Sequence, residues 1–276
     1  MIILLQCSDR VGLVADIARV MEEAGLNIIS MREFVNTEEE RFYIRIHIDA
    51  WPDPKEIEQK LLAALPTDTQ IVVNPAPEKK VIILVTKEYH CLGDILLRNH
   101  FNTLEASVQC VIGNYDDLRP LTEKFDIPYY YISHEEKSKE EFENQILEII
   151  SKYEHDYLIL AKFMRILSPD FISRYPMKII NIHHSFLPAF VGAKPYRQAY
   201  QRGVKLIGAT AHFVTNSLDE GPIIAQQIIP VNHSHTISNM VSLGKEIEKS
   251  VLAKALQFVF QDRVMVYKNK TIVFEN

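Results

Sequence analysis

Cysteine is scarce: Cys7, Cys91 and Cys110 are the 3 cysteines in 276 residues. Scattered and odd in number, they make no CxxC pair and no disulfide framework. That excludes a disulfide-stapled secreted scaffold and suits a reducing compartment. Positive charge is not in excess either. Lys and Arg total 30 against 36 Asp and Glu, a net charge of −6. No basic stripe with interleaved aromatics is visible, so nucleic acid is not an expected partner. Long apolar runs are missing as well. After Met1 only residues 2–5 are continuously apolar, with no basic segment before them, too short for a secretory signal or a membrane span. There is no internal repeat and no low-complexity run. The expectation is a cytoplasmic protein that engages neither membrane nor nucleic acid.

What is present is an ordinary globular composition, 47% hydrophobic and 24% charged, at a length that accommodates two domains. Residues 2–6 read as a strand. A helix follows, with Val11, Val14, Ala15, Ala18, Val20 and Met21 as its expected apolar face and Gly25 at its C-terminal end. Strands are expected at 27–35 and 42–48. In the second, Phe42, Ile44, Ile46 and Ile48 alternate with polar positions, as in a half-buried strand. A helix over 54–65 and a strand over 70–73 complete a βαββαβ order, the ferredoxin-like arrangement. The prolines at 75 and 77 then deny the backbone a regular element and mark a linker. This places one domain at 1–77 and a second at 78–276.

The second domain has a different rhythm. Short apolar runs at 81–85, 106–112, 129–132, 157–161 and 179–182 alternate with helix-like stretches, which predicts an α/β domain with a mostly parallel sheet. Strands at 206–214 and 223–231, a helix over 238–260 and a terminal hairpin follow. Ligands on such sheets sit at the carboxyl ends of the strands. There the sequence reads NIHHSFLP. Side chains alternate across a strand, so Asn181 and His183 share one face. Downstream, in TAHFVTNSLDEGPIIAQ, His212 lies on an apolar strand and Asp219 in the loop before the next one. An amide, an imidazole and a carboxylate brought together can perform acyl chemistry without a covalent intermediate. Asn and protonated His donate to a developing oxyanion, and the carboxylate handles protons. Taken singly, an aspartate in such a turn is ordinary turn chemistry and a strand histidine an ordinary core residue. The histidines at 183, 184, 212, 233 and 235 lack the cysteine partners or HExxH helix of a zinc site, so no metal is expected.

Two stretches resemble known families. DRVGLVADI, with Asp9 and Gly12, resembles the opening of an ACT domain. That implies a small-molecule effector, often an amino acid, at the turn before the first helix, and association of copies through this domain into a homo-oligomer. The plainer reading is that Asp9 caps the helix and Gly12 permits packing. NIHHSFLP followed by HFVTNSLDEGPII resembles the formyltransferase family that uses 10-formyltetrahydrofolate. The likeness spans about residues 81–235 and implies a Rossmann-like catalytic domain. It places the catalytic trio on Asn181, His183 and Asp219, with His212 in support. The segment LAKFMRILSPDF resembles the family's pterin-gripping stretch, centred on Met164, Arg165, Ile166 and Leu167. No cofactor is implied, because the folate is the substrate.

HCLGD, HHSFLPAFVGAKPY and an ACT module in front resemble the deformylase branch of that family. There water takes the formyl group and the released formate serves purine synthesis and one-carbon balance. The stretch VTKEYHCLGDILLRN fits this branch. It holds one glycine, Gly93, and the acidic Glu88 and Asp94, with Lys87 the local cation, which is a poor cradle for a phosphorylated acceptor. The alternative is a formyltransferase acting on an amine, and a folate or amino-acid sensor without turnover is a third reading. Cys91 is expected just before a helix, where a thiolate is stabilised, but a buried, inert thiol is the plainer reading.

Overall fold

The structure is a computed structural model that describes residues 1–74, 78–189 and 195–275. The expected linker at 75–77 lies outside the described residues. By contacts the chain forms two compact units.

The first unit comprises Met1–Pro77 together with Gln261–Met265 and Ile272–Asn276. Its strands are β1 (Ile2–Ser8), β2 (Ile28–Asn36), β3 (Arg41–Ile48) and β4 (Gln70–Asn74), and its helices are α1 (Leu13–Glu23) and α2 (Pro54–Ala64). The sheet order is β2-β3-β1-β4, with β3 and β4 both antiparallel to β1. Alternation decides which side is buried. Ile3, Leu5 and Cys7 of β1 and Ile44, Ile46 and Ile48 of β3 meet Ile57 and Leu61 of α2 in one core.

The α1 stripe differs from the sequence expectation. Leu13, Ile17, Val20 and Met21 are buried, whereas Val11 is 99% exposed and Val14 also faces out. The helix begins only at Leu13, so Val11 belongs to the turn, and spacings of four, seven and eight from Leu13 define the inner face. Residues late in the chain complete this unit. Arg45 donates from Nε to the Asp262 carbonyl at 2.9 Å and from an Nη to the Gln261 carbonyl at 3.0 Å, and Asn74 donates to the Asp262 carboxylate at 2.5 Å.

The second unit spans Glu78–Phe260 and Val266–Thr271. Its strands are β5 (Lys79–Val85), β6 (Ala106–Gly113), β7 (Tyr129–Tyr131), β8 (Tyr157–Ala161), β9 (Ile179–His183), β10 (Leu206–Phe213) and β11 (Ile223–Pro230). They form one sheet in the order β11-β10-β9-β8-β5-β6-β7. The stretch from β7 to β9 is parallel, and β10 and β11 add on antiparallel. On one face α5 (Lys139–Ile150) sets Phe142, Ile146 and Ile150 against Ile82, Leu84, Leu158 and Leu160. Elsewhere α8 (Ile237–Phe260) packs on β9, β10, β11 and on α3 (Tyr89–His100). The remaining helices are α4 (Arg119–Glu123), α6 (Pro169–Ser173) and α7 (Pro195–Arg202), and β12 (Val264–Tyr267) and β13 (Lys270–Val273) form a hairpin. Among the described residues, no helix is long and apolar enough to cross a membrane.

Candidate active site

The site is built on the rungs between β9 and β10. In the antiparallel register Asn181 stands opposite His212, and His183 opposite Thr210. Residues two apart share a face, so all four side chains are on one side of the sheet. His212 is fully buried, and its Nδ1 lies 2.9 Å from the Phe213 carbonyl. A carbonyl only accepts, so Nδ1 carries the hydrogen and Nε2 presents a lone pair. Burial pushes the pKa of His212 down, which keeps the ring neutral. The Asn181 amide, 3.3 Å from that Nε2, therefore donates to it. One amide hydrogen is spent in fixing the orientation, and the second remains for a ligand.

Asp219 joins from the β10–β11 loop. Its Oδ1 is 3.4 Å from His183 Nδ1 and 3.9 Å from His212 Nε2. The hydrogen bond from His183 holds its carboxyl below the usual carboxylate range, against the upward push of burial. Its φ of 58° is left-handed, a conformation that aspartate tolerates better than most residues. His183 is buried, and its Nε2 has no hydrogen-bond partner among the described residues. The adjacent His184 has its pKa lowered to about 4, first by burial and then by Lys162 and His183, so its own ring is neutral at neutral pH.

Four further residues support the site. Thr210, opposite His183, donates to the Ser185 carbonyl at 2.9 Å and accepts from the Leu187 N–H at 3.0 Å, which fixes the turn that leaves β9. Gln226 of β11 donates to both the Leu187 carbonyl and Thr210 Oγ1. The Asp219 loop is held by Asn269, which donates to the Glu220 carbonyl at 2.8 Å, and by Gly221. A Cβ at Gly221 would lie 1.8 Å from the Phe213 carbonyl oxygen. The signal for Thr210 was its spacing, two residues before His212. The tertiary partners of Asn269 and Gly221 left no local trace.

Met164, Arg165, Ile166 and Leu167 form a strap just past β8. In register Leu160 pairs with Asn181, so the strap leaves its strand beside the site. Met164 and Ile166 are more than half exposed, while Phe163 and Leu167 are buried and anchor the ends. The Met164 N–H donates to Thr86 Oγ1 at 3.0 Å, and the Ser168 N–H donates to the Glu143 carboxylate at 2.7 Å.

In the β5–α3 segment the plainer reading of Cys91 as a buried, inert thiol holds, and two details differ from expectation: its place relative to the helix, and the charge around it. Cys91 lies inside the first turn of α3, fully buried, and burial pushes its thiol up, away from nucleophilic use. Lys87 is not the only cation nearby: Lys245 of α8 sits 2.7 Å from the Glu88 carboxylate, and Arg98 sits 2.7 Å from Asp94. The acidic pair is thus neutralised by partners from other turns. In the first unit Gly12 has φ 94° and is the N-cap residue of α1, with no side-chain cap. Asp9 does not cap the helix, because the N-cap position is held by Gly12, three residues on, and no side chain makes a cap hydrogen bond there; its own backbone N–H donates to the Glu40 carbonyl.

A parallel sheet extended by antiparallel strands, with Asn181, His183 and Asp219 assembled at one end, defines a formyl-transfer fold. The family model described as formyl transferase matches residues 79–256, and the one described as ACT domain matches residues 1–65. The formyltetrahydrofolate deformylase of Haemophilus influenzae is 47% identical, over 99% of this chain and 98% of that protein. The crystal structure of a formyltetrahydrofolate deformylase from Pseudomonas syringae pv. tomato superposes with a TM-score of 0.94 at 40% identity, covering 99% of this chain and 94% of that one. A glycinamide ribonucleotide transformylase from Symbiobacterium toebii superposes at 0.69 with 26% identity, covering 72% of this chain and 95% of that one. This chain belongs to the formyltetrahydrofolate deformylase family.

Proposed function

We propose that this protein hydrolyses 10-formyltetrahydrofolate to formate and tetrahydrofolate, with Asn181, His183 and Asp219 as its catalytic groups. The near-full-length likeness to deformylases supports the reaction. The observation that supports the roles is a pair of nitrogens open to a ligand, the Asn181 amide with its second hydrogen and the buried His183 Nε2 with no hydrogen-bond partner among the described residues, beside Asp219, whose carboxyl is held below the usual carboxylate range. The substrate's formyl group is amide-like and needs polarising. In this reading its oxygen accepts from Asn181 and from protonated His183, whose Nδ1–H is held by Asp219. Water adds to the formyl carbon and gives a proton to Asp219, while the carbonyl electron pair moves onto the oxygen that the two donors stabilise. The intermediate collapses, the C–N10 bond breaks, and N10 takes the proton from Asp219. The strap at 164–167 holds the pterin through its backbone, with Met164 and Ile166 as apolar cover.

The test is the fate of the formyl group. In water enriched in oxygen-18, with no amine present, formate should carry one solvent oxygen and accumulate in step with tetrahydrofolate. Adding glycinamide ribonucleotide should neither speed folate consumption nor yield formylated product. Formylated amine as the main product would replace hydrolysis by transfer.

The effector reading belongs to the same proposal. An amino acid binds at the turn carrying Asp9 and Gly12, and the ACT units of separate copies pair into a homo-oligomer. Exposure of both residues, the left-handed Gly12 and the ACT family match support it. Titration calorimetry with the proteinogenic amino acids should give binding at millimolar concentration or tighter, and silence across the whole set would leave the unit a purely architectural role.

A further inference from the structure

The segment HCLGD leads to a buried cluster that the reaction above does not use. Glu248 of α8 is 1% exposed. Its Oε2 lies 2.8 Å from His90 Nε2 and 3.2 Å from Lys162 Nζ, and its Oε1 accepts from the Tyr196 hydroxyl at 2.6 Å. His90 belongs to the first turn of α3, Tyr196 to the first turn of α7, and Lys162 is the residue after β8, where the chain turns into the strap. One carboxylate thus collects three separate elements. Burial alone would push its pKa up, but the hydrogen bond from His90, the Lys162 ammonium and the Tyr196 hydroxyl hold it at about 2, so Glu248 is an anion throughout the working range.

We propose that Glu248 is a positioning residue for the reaction: through Lys162 it fixes the point from which the pterin strap departs, and through His90 and Tyr196 it holds α3 and α7 in the same frame. Lys162 is buried and has a left-handed φ of 63°, a conformation costly for a side chain with a Cβ. The ion pair is what holds it there. The Met164 N–H, two residues on, is then placed on Thr86 Oγ1. The approach of Tyr196 is made possible by Gly244, one turn before Glu248 on α8, where a Cβ would lie 2.2 Å from the Tyr196 ring.

The ligand atoms of His90, Cys91 and Glu248 lie within 4.8 Å of one another, a spacing that suits a metal. However, the Lys162 ammonium already stands against the same carboxylate oxygen that His90 contacts, and the thiol is held protonated by burial. The cation position is filled by the protein itself.

The inference rests on the reading that residues 164–167 carry the pterin, and the test separates the two. Full-length Glu248→Gln, Lys162→Met and the double variant are compared with the parent by steady-state kinetics. Hydrogen exchange of the peptide containing 164–167 is followed with and without tetrahydrofolate. The strap contributes binding in ground and transition states alike, so each single variant should raise KM about 10-fold with kcat within about 3-fold. Because Lys162 acts through its link to Glu248, while Glu248 also holds His90 and Tyr196, the double variant should be no worse than Glu248→Gln alone. Tetrahydrofolate should protect the peptide in the parent and fail to do so in the variants. If Glu248→Gln does not fold, Lys162→Met carries both readouts. Parent-like KM with protection retained, or KM effects that multiply in the double variant, overturns the role of Glu248 alone. No protection in the parent overturns the strap reading and this inference with it.

Discussion

Asp219→Asn is expected to lower kcat for folate hydrolysis by about 100-fold or more, the usual contribution of a general acid–base group, with KM within a few-fold of the parent. The substitution keeps the shape of the side chain and its place in the loop, and removes only the charge and the proton site. Two roles are lost together. The attacking water has no base, and the carboxylate 3.4 Å from His183 Nδ1 no longer stabilises the imidazolium that faces the oxyanion. His183 and His212 remain to orient Asn181 and the substrate, which is why binding persists. Steady-state kinetics at saturating folate measures this directly, and a variant within 10-fold of the parent would remove Asp219 from the mechanism.

Gly221→Ala is expected to be nearly as damaging, although it touches no substrate. A Cβ there would stand 1.8 Å from the Phe213 carbonyl oxygen, whereas real Cβ atoms essentially never approach closer than 3.0 Å. The obstacle is backbone on β10, so the loop has to withdraw by about 1 Å or more, carrying Asp219 with it. A misplacement of that size costs on the order of 100-fold in rate. The Phe213 N–H also donates to the Pro222 carbonyl at 2.9 Å, a bond that the withdrawal stretches. Thermal denaturation beside the kinetics is the control: kcat should collapse while the unfolding temperature moves by only a few degrees. Parent-like turnover would mean the loop accommodates the methyl group without moving Asp219.

Periodicity served well for part of this molecule. Period two placed Asn181 and His183 on one face, and alternating strands and helices gave the parallel sheet, because these signals are local. What brings His212 to Asn181 is the register of an antiparallel pair separated by a long connection, and no local pattern encodes that register. On α1 the apolar pattern suggests an earlier start than the backbone takes, and a start at Leu13 rotates the inner face away from Val11. Glu248 is hidden in the sequence for another reason. In the run KEIEK it looks like a solvated charge, as Glu246 is. The helical phase says otherwise, since Met240, Gly244, Ile247, Val251 and Leu252 define the inner stripe and Glu248 falls within it. A charged residue on the buried stripe of a helix is a specific signal for a partner cluster.

The first unit is completed by residues near the far end of the chain. Arg45 lies 217 positions before Asp262, whose carbonyl it binds. At ribosomal rates of about 5–20 residues per second, that separation is a wait on the order of 10–40 s. During synthesis residues 1–74, with the sheet strands and both helices of this unit, are made well before residues 261 and 262, and until then the guanidinium of Arg45 is without those carbonyls. The unit whose strands are made earlier of the two is therefore finished later, and its closure reports that residues 78–260, the bulk of the second unit, have already been synthesised.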